Sequence, residues 1–87
     1  MPFVYILRCS DKSLYVEMSD NVDARVVRHN EGRGSAYTAA RRPVSVAYSE
    51  NHPTATAARQ RECQIKRWTA AKKEALVAGD LALLKRL

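Results

Sequence analysis

The chain has 87 residues, enough for one small domain with a modest core but not for a large internal cavity, so any site is expected as a surface groove. Fifteen Lys plus Arg against nine Asp plus Glu give a net charge of +6 and a pI near 9.8, a balance that suits a polyanion partner as well as an ordinary basic surface. Cys9 and Cys63 stand far apart without a C-x-x-C or a paired histidine spacing, which argues against a disulfide framework and a zinc site and for free thiols in a reducing compartment, hence the cytoplasm. The opening run MPFVYILRCS is too short for a secretory signal or a membrane span.

FVYILR at Phe3 to Arg8 is rich in β-branched and aromatic residues. A polar cluster, Cys9 to Ser13, separates it from the alternating run LYVEM, which is a hairpin signal. Alternation sends Leu14, Val16 and Met18 to one face and Tyr15 with Glu17 to the other. If the register keeps parity, Tyr5 and Leu7 join Tyr15 and Glu17. Asp20 or Asn21 then caps a helix through NVDARVVRHN, ending before Gly32. Val22 and Val26 make its apolar stripe, with Arg25 and His29 at i, i+4 along the edge of the buried face. The segment EGRGSAYTAARR reads as a basic loop carrying Arg33, Arg41 and Arg42. Pro43 opens a third strand, VSVAYS.

From Thr54 onward the periodicity is helical: TATAARQRECQIKRW, then TAAKKEALVAG capped by Thr69, then a short turn in DLALLKRL. The order strand, strand, helix, strand, helices gives an α+β domain with a small three-stranded sheet. Ala58, Glu62 and Ile65 fall at i, i+4 and i+7, which puts a carboxylate inside an apolar stripe. Burial of an unpaired carboxylate costs several kcal/mol, so Glu62 needs a partner. Lys66 at i+4, Arg59 or Arg61, or a divalent metal would each serve. Tyr5 and Tyr15 read as covers for a sheet face, Arg25 as a partner for Asp23 or Asp20, His29 as a satisfied, partly buried histidine, and Trp68 as a core anchor. The glycines and arginines of the basic loop suit either a phosphate cradle or a solvated surface.

Taken together, two tyrosines, an arginine, a histidine and a stripe carboxylate supply a base, a charge clamp and a metal ligand, the parts needed for phosphodiester hydrolysis. The ordered motifs Val4-Tyr5-Ile6, Tyr15-Val16-Glu17, Arg25-x-x-x-His29-Asn30, Tyr37-Thr38, Arg41-Arg42-Pro43 and Arg61-Glu62-x-x-Ile65-Lys66 resemble the GIY-YIG nuclease domain in its compact single-domain bacterial form. The resemblance implies one domain over residues 1–87, with its motifs within 3–76 and a C-terminal helical extension at 77–87. It also implies a three-stranded antiparallel sheet flanked by helices. By the same resemblance the chain is a metal-dependent DNA endonuclease of repair or recombination, with structured or branched DNA as partner and no membrane. The catalytic set is Tyr5, Tyr15, Arg25, His29 and Glu62, with Glu62 holding Mg2+ or Mn2+. Arg33, Arg41, Arg42 and Lys66 would neutralise DNA phosphates.

One position departs from the family pattern. Glu17 stands where the second motif ends in glycine. It would repel Glu62 and raise one of the two carboxyl pKa values, or add a metal ligand, or fill the space where the DNA backbone approaches. An impaired or altered nuclease follows, with a DNA-binding module that has lost cleavage as the alternative.

Overall fold

The computed structural model describes residues 2–87. Three strands, β1 (Phe3–Arg8), β2 (Leu14–Ser19) and β3 (Ser45–Asn51), form an antiparallel sheet in the order β2-β1-β3. Five helices complete the fold: α1 (Val22–Asn30), α2 (Ala36–Ala39), α3 (Ala55–Lys66), α4 (Ala70–Ala78) and α5 (Leu81–Arg86). The expected α+β class is correct. β1 is central, and its continuous apolar run reflects cover on both faces, since Val4, Tyr5, Ile6 and Leu7 are all buried. The hairpin turn closes with Lys12 at φ +75°, in the left-handed region, and with Asp11 Oδ1 accepting from Ser13 N–H and Oγ.

Each helix starts on a side-chain cap that satisfies an orphan backbone N–H. Asn21 accepts from Ala24 N at 3.1 Å, Thr54 from Ala57 N at 3.1 Å, Thr69 from Lys72 N at 3.2 Å and Asp80 from Leu83 N at 3.0 Å. The basic loop holds one element the residue pattern did not predict, the single turn α2, capped by Ser35 through Thr38 N at 3.1 Å. Four residues are too few to show a periodicity.

The sheet divides the core in two. Val4, Ile6 and Val16 pack with Ala58 and Ile65 of α3 and Leu76 of α4, joined by Tyr48, Trp68, Val77 and Leu84. Tyr5, Leu7, Cys9 and Val44 pack with Tyr15 and with Val22 and Val26 of α1 on the other face. Helix α4 runs through the expected boundary at residue 76, and Val77 and Leu84 rest on the same core as the residues before them.

A bulge decides which residues of β3 face which layer. Tyr48 pairs with Ile6 but Val46 pairs with Leu7, so Ala47 is the extra residue and parity flips there. Val44 therefore lies with Tyr5 and Leu7, whereas Tyr48 and Glu50 lie with Ile6 and Val4.

Candidate active site

The hairpin register sets Tyr5 opposite Glu17 and Leu7 opposite Tyr15, the parity the alternation required. Helix α1 crosses this face and delivers Arg25 and His29 from one side of its apolar stripe. Four of the five expected catalytic residues, Tyr5, Tyr15, Arg25 and His29, converge on Glu17. Its Oε1 accepts from Tyr5 Oη at 2.8 Å and from Arg25 Nε at 2.9 Å and Nη2 at 2.6 Å, and its Oε2 accepts from Tyr15 Oη at 2.9 Å. His29 Nε2 stands 3.5 Å from the same Oε1. Arg25 thus pairs with Glu17 rather than with Asp20 or Asp23.

His29 is fully buried, deeper than the partly buried position expected for it. Its Nδ1 lies 2.7 Å from Thr38 Oγ1, and its Nε2 lies 3.3 Å from Tyr5 Oη. A proton on Nε2 satisfies the whole chain of bonds. Ser35 Oγ donates to Thr38 Oγ1 across 2.9 Å, Thr38 donates to Nδ1, Nε2–H donates to Tyr5, and the Tyr5 proton goes to Glu17. Tyr15 meets the imidazole edge to face at 5.5 Å, and Tyr37 stacks on Tyr15 at 5.7 Å. Gly34 is required by this packing, because a Cβ there would fall inside the imidazole ring's van der Waals contact.

Burial and its neighbours set the charge state of the cluster. Burial pushes the Tyr5 phenol well above its usual value, and the hydrogen bond and charge of Glu17 push it further. Tyr15 moves the same way, chiefly by burial. Burial alone would raise the Glu17 carboxyl, but the hydrogen bonds from Tyr5, Arg25 and Tyr15 outweigh it and hold Glu17 below the usual carboxylate range. Burial lowers His29, against the pull of the Glu17 charge, so the imidazole is neutral at pH 7. Both phenols are therefore protonated donors to a carboxylate at neutral pH. Of the three expected consequences of Glu17, the raised pKa is not the one realised at this residue; the carboxylate fills the centre of the cluster.

Glu62 sits apart from this network. It is largely buried along α3, and its ion-pair partner is Lys66 at 3.7 Å, the simplest of the partners weighed for it. Among the described residues no hydrogen bond or ion pair links it to the cluster, and no group of three His, Cys, Asp or Glu gathers as a metal cage. Helix α3 lies over the Val4 face and α1 over the Tyr5 face, and both touch the edge strand β2. A single carboxylate still fits a magnesium-type ion, which keeps several waters and completes its shell with substrate phosphate oxygens.

The four expected phosphate-neutralising residues all have internal partners. Arg33 pairs with Glu31 at 2.6 Å on the surface. Arg41 Nε reaches Asp11 at 3.0 Å, its Nη1 reaches the Tyr37 carbonyl, and its guanidinium lies 3.7 Å over the Tyr37 ring. Arg42 donates to the Ala39 and Asn30 carbonyls and lies against Gly32, and Lys66 holds Glu62. Arg41 and Arg42 tie the loop down as well as charging it. Tyr37-Thr38 stood among the ordered motifs, but nothing in the residue pattern tied Thr38, Ser35 or Gly34 to His29 as its supports.

Comparison with known proteins agrees with this fold. The family model described as GIY-YIG catalytic domain matches residues 1–75. UPF0213 proteins of Staphylococcus aureus strains Mu50 and N315 are each 48% identical over 75 residues, covering 86% of this chain and 92% of theirs. The solution NMR structure of the UPF0213 protein BH0048 from Bacillus halodurans superposes with a TM-score of 0.58 at 35% identity, covering 90% of this chain and 84% of that one. The fold, the ordered motifs and the matched family model agree that this chain belongs to the GIY-YIG catalytic domain family, a nuclease superfamily.

Proposed function

We propose that the protein is a DNA-binding member of this family whose phosphodiester cleavage is held latent by Glu17. One observation carries the reading: the cluster's phosphate-suited donors, Arg25, Tyr5 and Tyr15, are spent on a resident carboxylate. Catalytic stabilisation requires donors aimed at charge that develops in the transition state, and here Arg25, Tyr5 and Tyr15 are neutralised or saturated beforehand. The carboxylate also repels an approaching phosphodiester.

With Glu17 out of the way, each group has a role. Arg25 clamps phosphate charge, Tyr5 and Tyr15 orient or deprotonate the attacking water, and His29, held by Thr38, fixes the Tyr5 hydroxyl. Glu62 is the residue to hold Mg2+ or Mn2+, and the bound ion would supply Lewis-acid neutralisation of the phosphate. DNA crossing the β2 edge meets both the α1 side and the α3 side. Each flanking helix is packed onto the sheet. Discrimination among DNAs by backbone shape, on structured or branched DNA in repair or recombination, completes the reading. Two free thiols, Cys63 exposed and Cys9 buried, suit a reducing compartment such as the cytoplasm.

The test is a cleavage time course on branched and supercoiled DNA with Mg2+ or Mn2+. Glu17→Gly should raise the rate at least about 100-fold, the size of one electrostatic stabiliser, and adding Glu62→Ala should return it to background. A native protein that cuts as fast as Glu17→Gly overturns latency. If neither cuts while both bind DNA, the chain is a binding module.

A further inference from the structure

The outer side of α3 carries a depression that the site on the Tyr5 face does not use. Arg59, Gln60, Cys63, Gln64, Arg67 and Trp68 line an open hollow of about 560 Å³, within the volume range of small-ligand sites. All but Trp68 are exposed, and Trp68 is half-buried, resting against the core while presenting the rest of its indole to the hollow. No acidic side chain lines it. Arg59 and Arg67 form no salt bridge among the described residues, in contrast to Arg33, Arg41 and Lys66. The Lys72 ammonium lies over the indole ring at 4.6 Å and the Arg61 guanidinium, itself paired with Glu50, over it at 5.1 Å, so a stacked base would exchange with the Lys72 contact.

A partly exposed indole beside two arginines without an ion pair, Arg59 and Arg67, with amide donors between them, fits a particular ligand class. Simple acidic partners need only the charge. Single-stranded nucleic acid uses the charge for its phosphates and the indole for an unpaired base, worth about 1–3 kcal/mol per stacked base. A duplex hides its base faces and gains only the charge term. We infer that the Arg59–Arg67–Trp68 hollow is a docking site for single-stranded nucleic acid, separate from the Glu17 cluster and independent of whether that cluster cleaves. In a member of a nuclease family, such a site would hold a displaced or overhanging strand on the α3 side of the protein.

Trp68 is the chain's one tryptophan among four tyrosines, so fluorescence excited selectively in the indole reports on the residue that lines this hollow. Titration of the full chain with oligo(dT) should quench Trp68, whereas a hairpin duplex of equal charge should quench it weakly. Three cations, Arg59, Arg67 and Lys72, predict an affinity that falls about 20-fold between 50 and 200 mM salt, from a single-strand slope near 0.7 per phosphate. Arg59→Ala with Arg67→Ala should cut that fall to about threefold and weaken binding at 50 mM salt, with the circular dichroism spectrum unchanged. These are exposed residues, so loss of folding is not expected to interfere. Equal quenching by duplex, or by poly-glutamate at matched charge, overturns the single-strand assignment. Oligo(dT) binding seen by anisotropy with Trp68 fluorescence unmoved overturns the site itself. Neither result bears on the Glu17→Gly cleavage test, which reads the other face.

Discussion

At position 17 the family motif has glycine and this chain has a carboxylate, and the surrounding side chains have become its ligands. The shift directions give this a pH signature. His29 is buried and held below its usual 6.5, with burial the main cause. Glu17 and Glu50 are held below their usual 4.5, because hydrogen bonds outweigh the opposing effect of burial. All three groups take up protons more readily in the unfolded chain, so stability falls as pH falls. The His29 contribution is complete above pH 6.5 and declines below it; the carboxylate contributions are complete above 4.5 and are lost as pH drops through their folded values. Thermal melts should show a plateau above about pH 6.5, a shallow decline to about 4.5, and a steeper fall beneath it. Glu17→Gln should flatten part of the steep limb and, by removing the charge that pulls His29 upward, deepen the decline between about pH 6.5 and 4.5. A melting temperature that holds constant from pH 8 to 4.5 would contradict a buried neutral His29. The residues of this cluster were legible in the sequence because alternation and an i, i+4 spacing place Tyr5, Tyr15, Arg25 and His29 on one face. The occupancy of its centre by Glu17 was not, since it depends on which carboxylate oxygen each donor reaches.

The regular elements were read correctly because their signals are local: Asn21, Thr54, Thr69 and Asp80 each cap the helix that follows them. Three features escaped, each set by tertiary contact. The bulge at Ala47 changes which face β3 presents, although V-S-V-A-Y-S alternates without a break. The turn α2 is too short to have a period. Asn30, which reads as a helix-terminal residue, proves to be a clasp. Its Nδ2 donates to the Val44 carbonyl at 3.0 Å and its Oδ1 accepts from Val44 N–H at 2.7 Å. This pair mimics a strand ladder and fixes the end of α1, and with it His29, to the entry of β3. Asn30→Ala leaves both Val44 groups without a partner and should cost about 1–3 kcal/mol. Asn30→Asp keeps the acceptor but sets a carboxylate oxygen against the Val44 carbonyl, and should cost at least as much. Urea melts measure both. A loss under about 0.5 kcal/mol for each variant would mean that water replaces the clasp.

Viewed as a whole, the molecule has one carboxylate hub on each face of the sheet. Glu17 pairs in register with Tyr5 and Glu50 with Val4, and consecutive residues of β1 point to opposite faces. Glu50 is held by Arg61 Nε at 3.0 Å, by Tyr48 Oη at 2.7 Å and by His52 at 2.5 Å, so a tyrosine, a histidine and an arginine recur around it. Arg25–Glu17 fastens α1 to one face, and Arg61–Glu50 fastens α3 to the other. The two hubs share no residue. Charged hydrogen bonds of this kind are worth about 1.5–3 kcal/mol, so Glu17→Gln and Glu50→Gln should each destabilise the fold by about that much. Networks without a common partner add, with coupling under about 0.5 kcal/mol in a double-mutant cycle. That independence also makes the cleavage test interpretable. If opening the Glu17 cluster leaves the Glu50 half intact, a gain of activity in Glu17→Gly reflects freed donors on a folded scaffold, and a failure to cut reflects chemistry rather than collapse. A coupling of 1 kcal/mol or more would show that the sheet transmits strain between its faces. The α3 side carrying Glu62 would then feel every change made at Glu17.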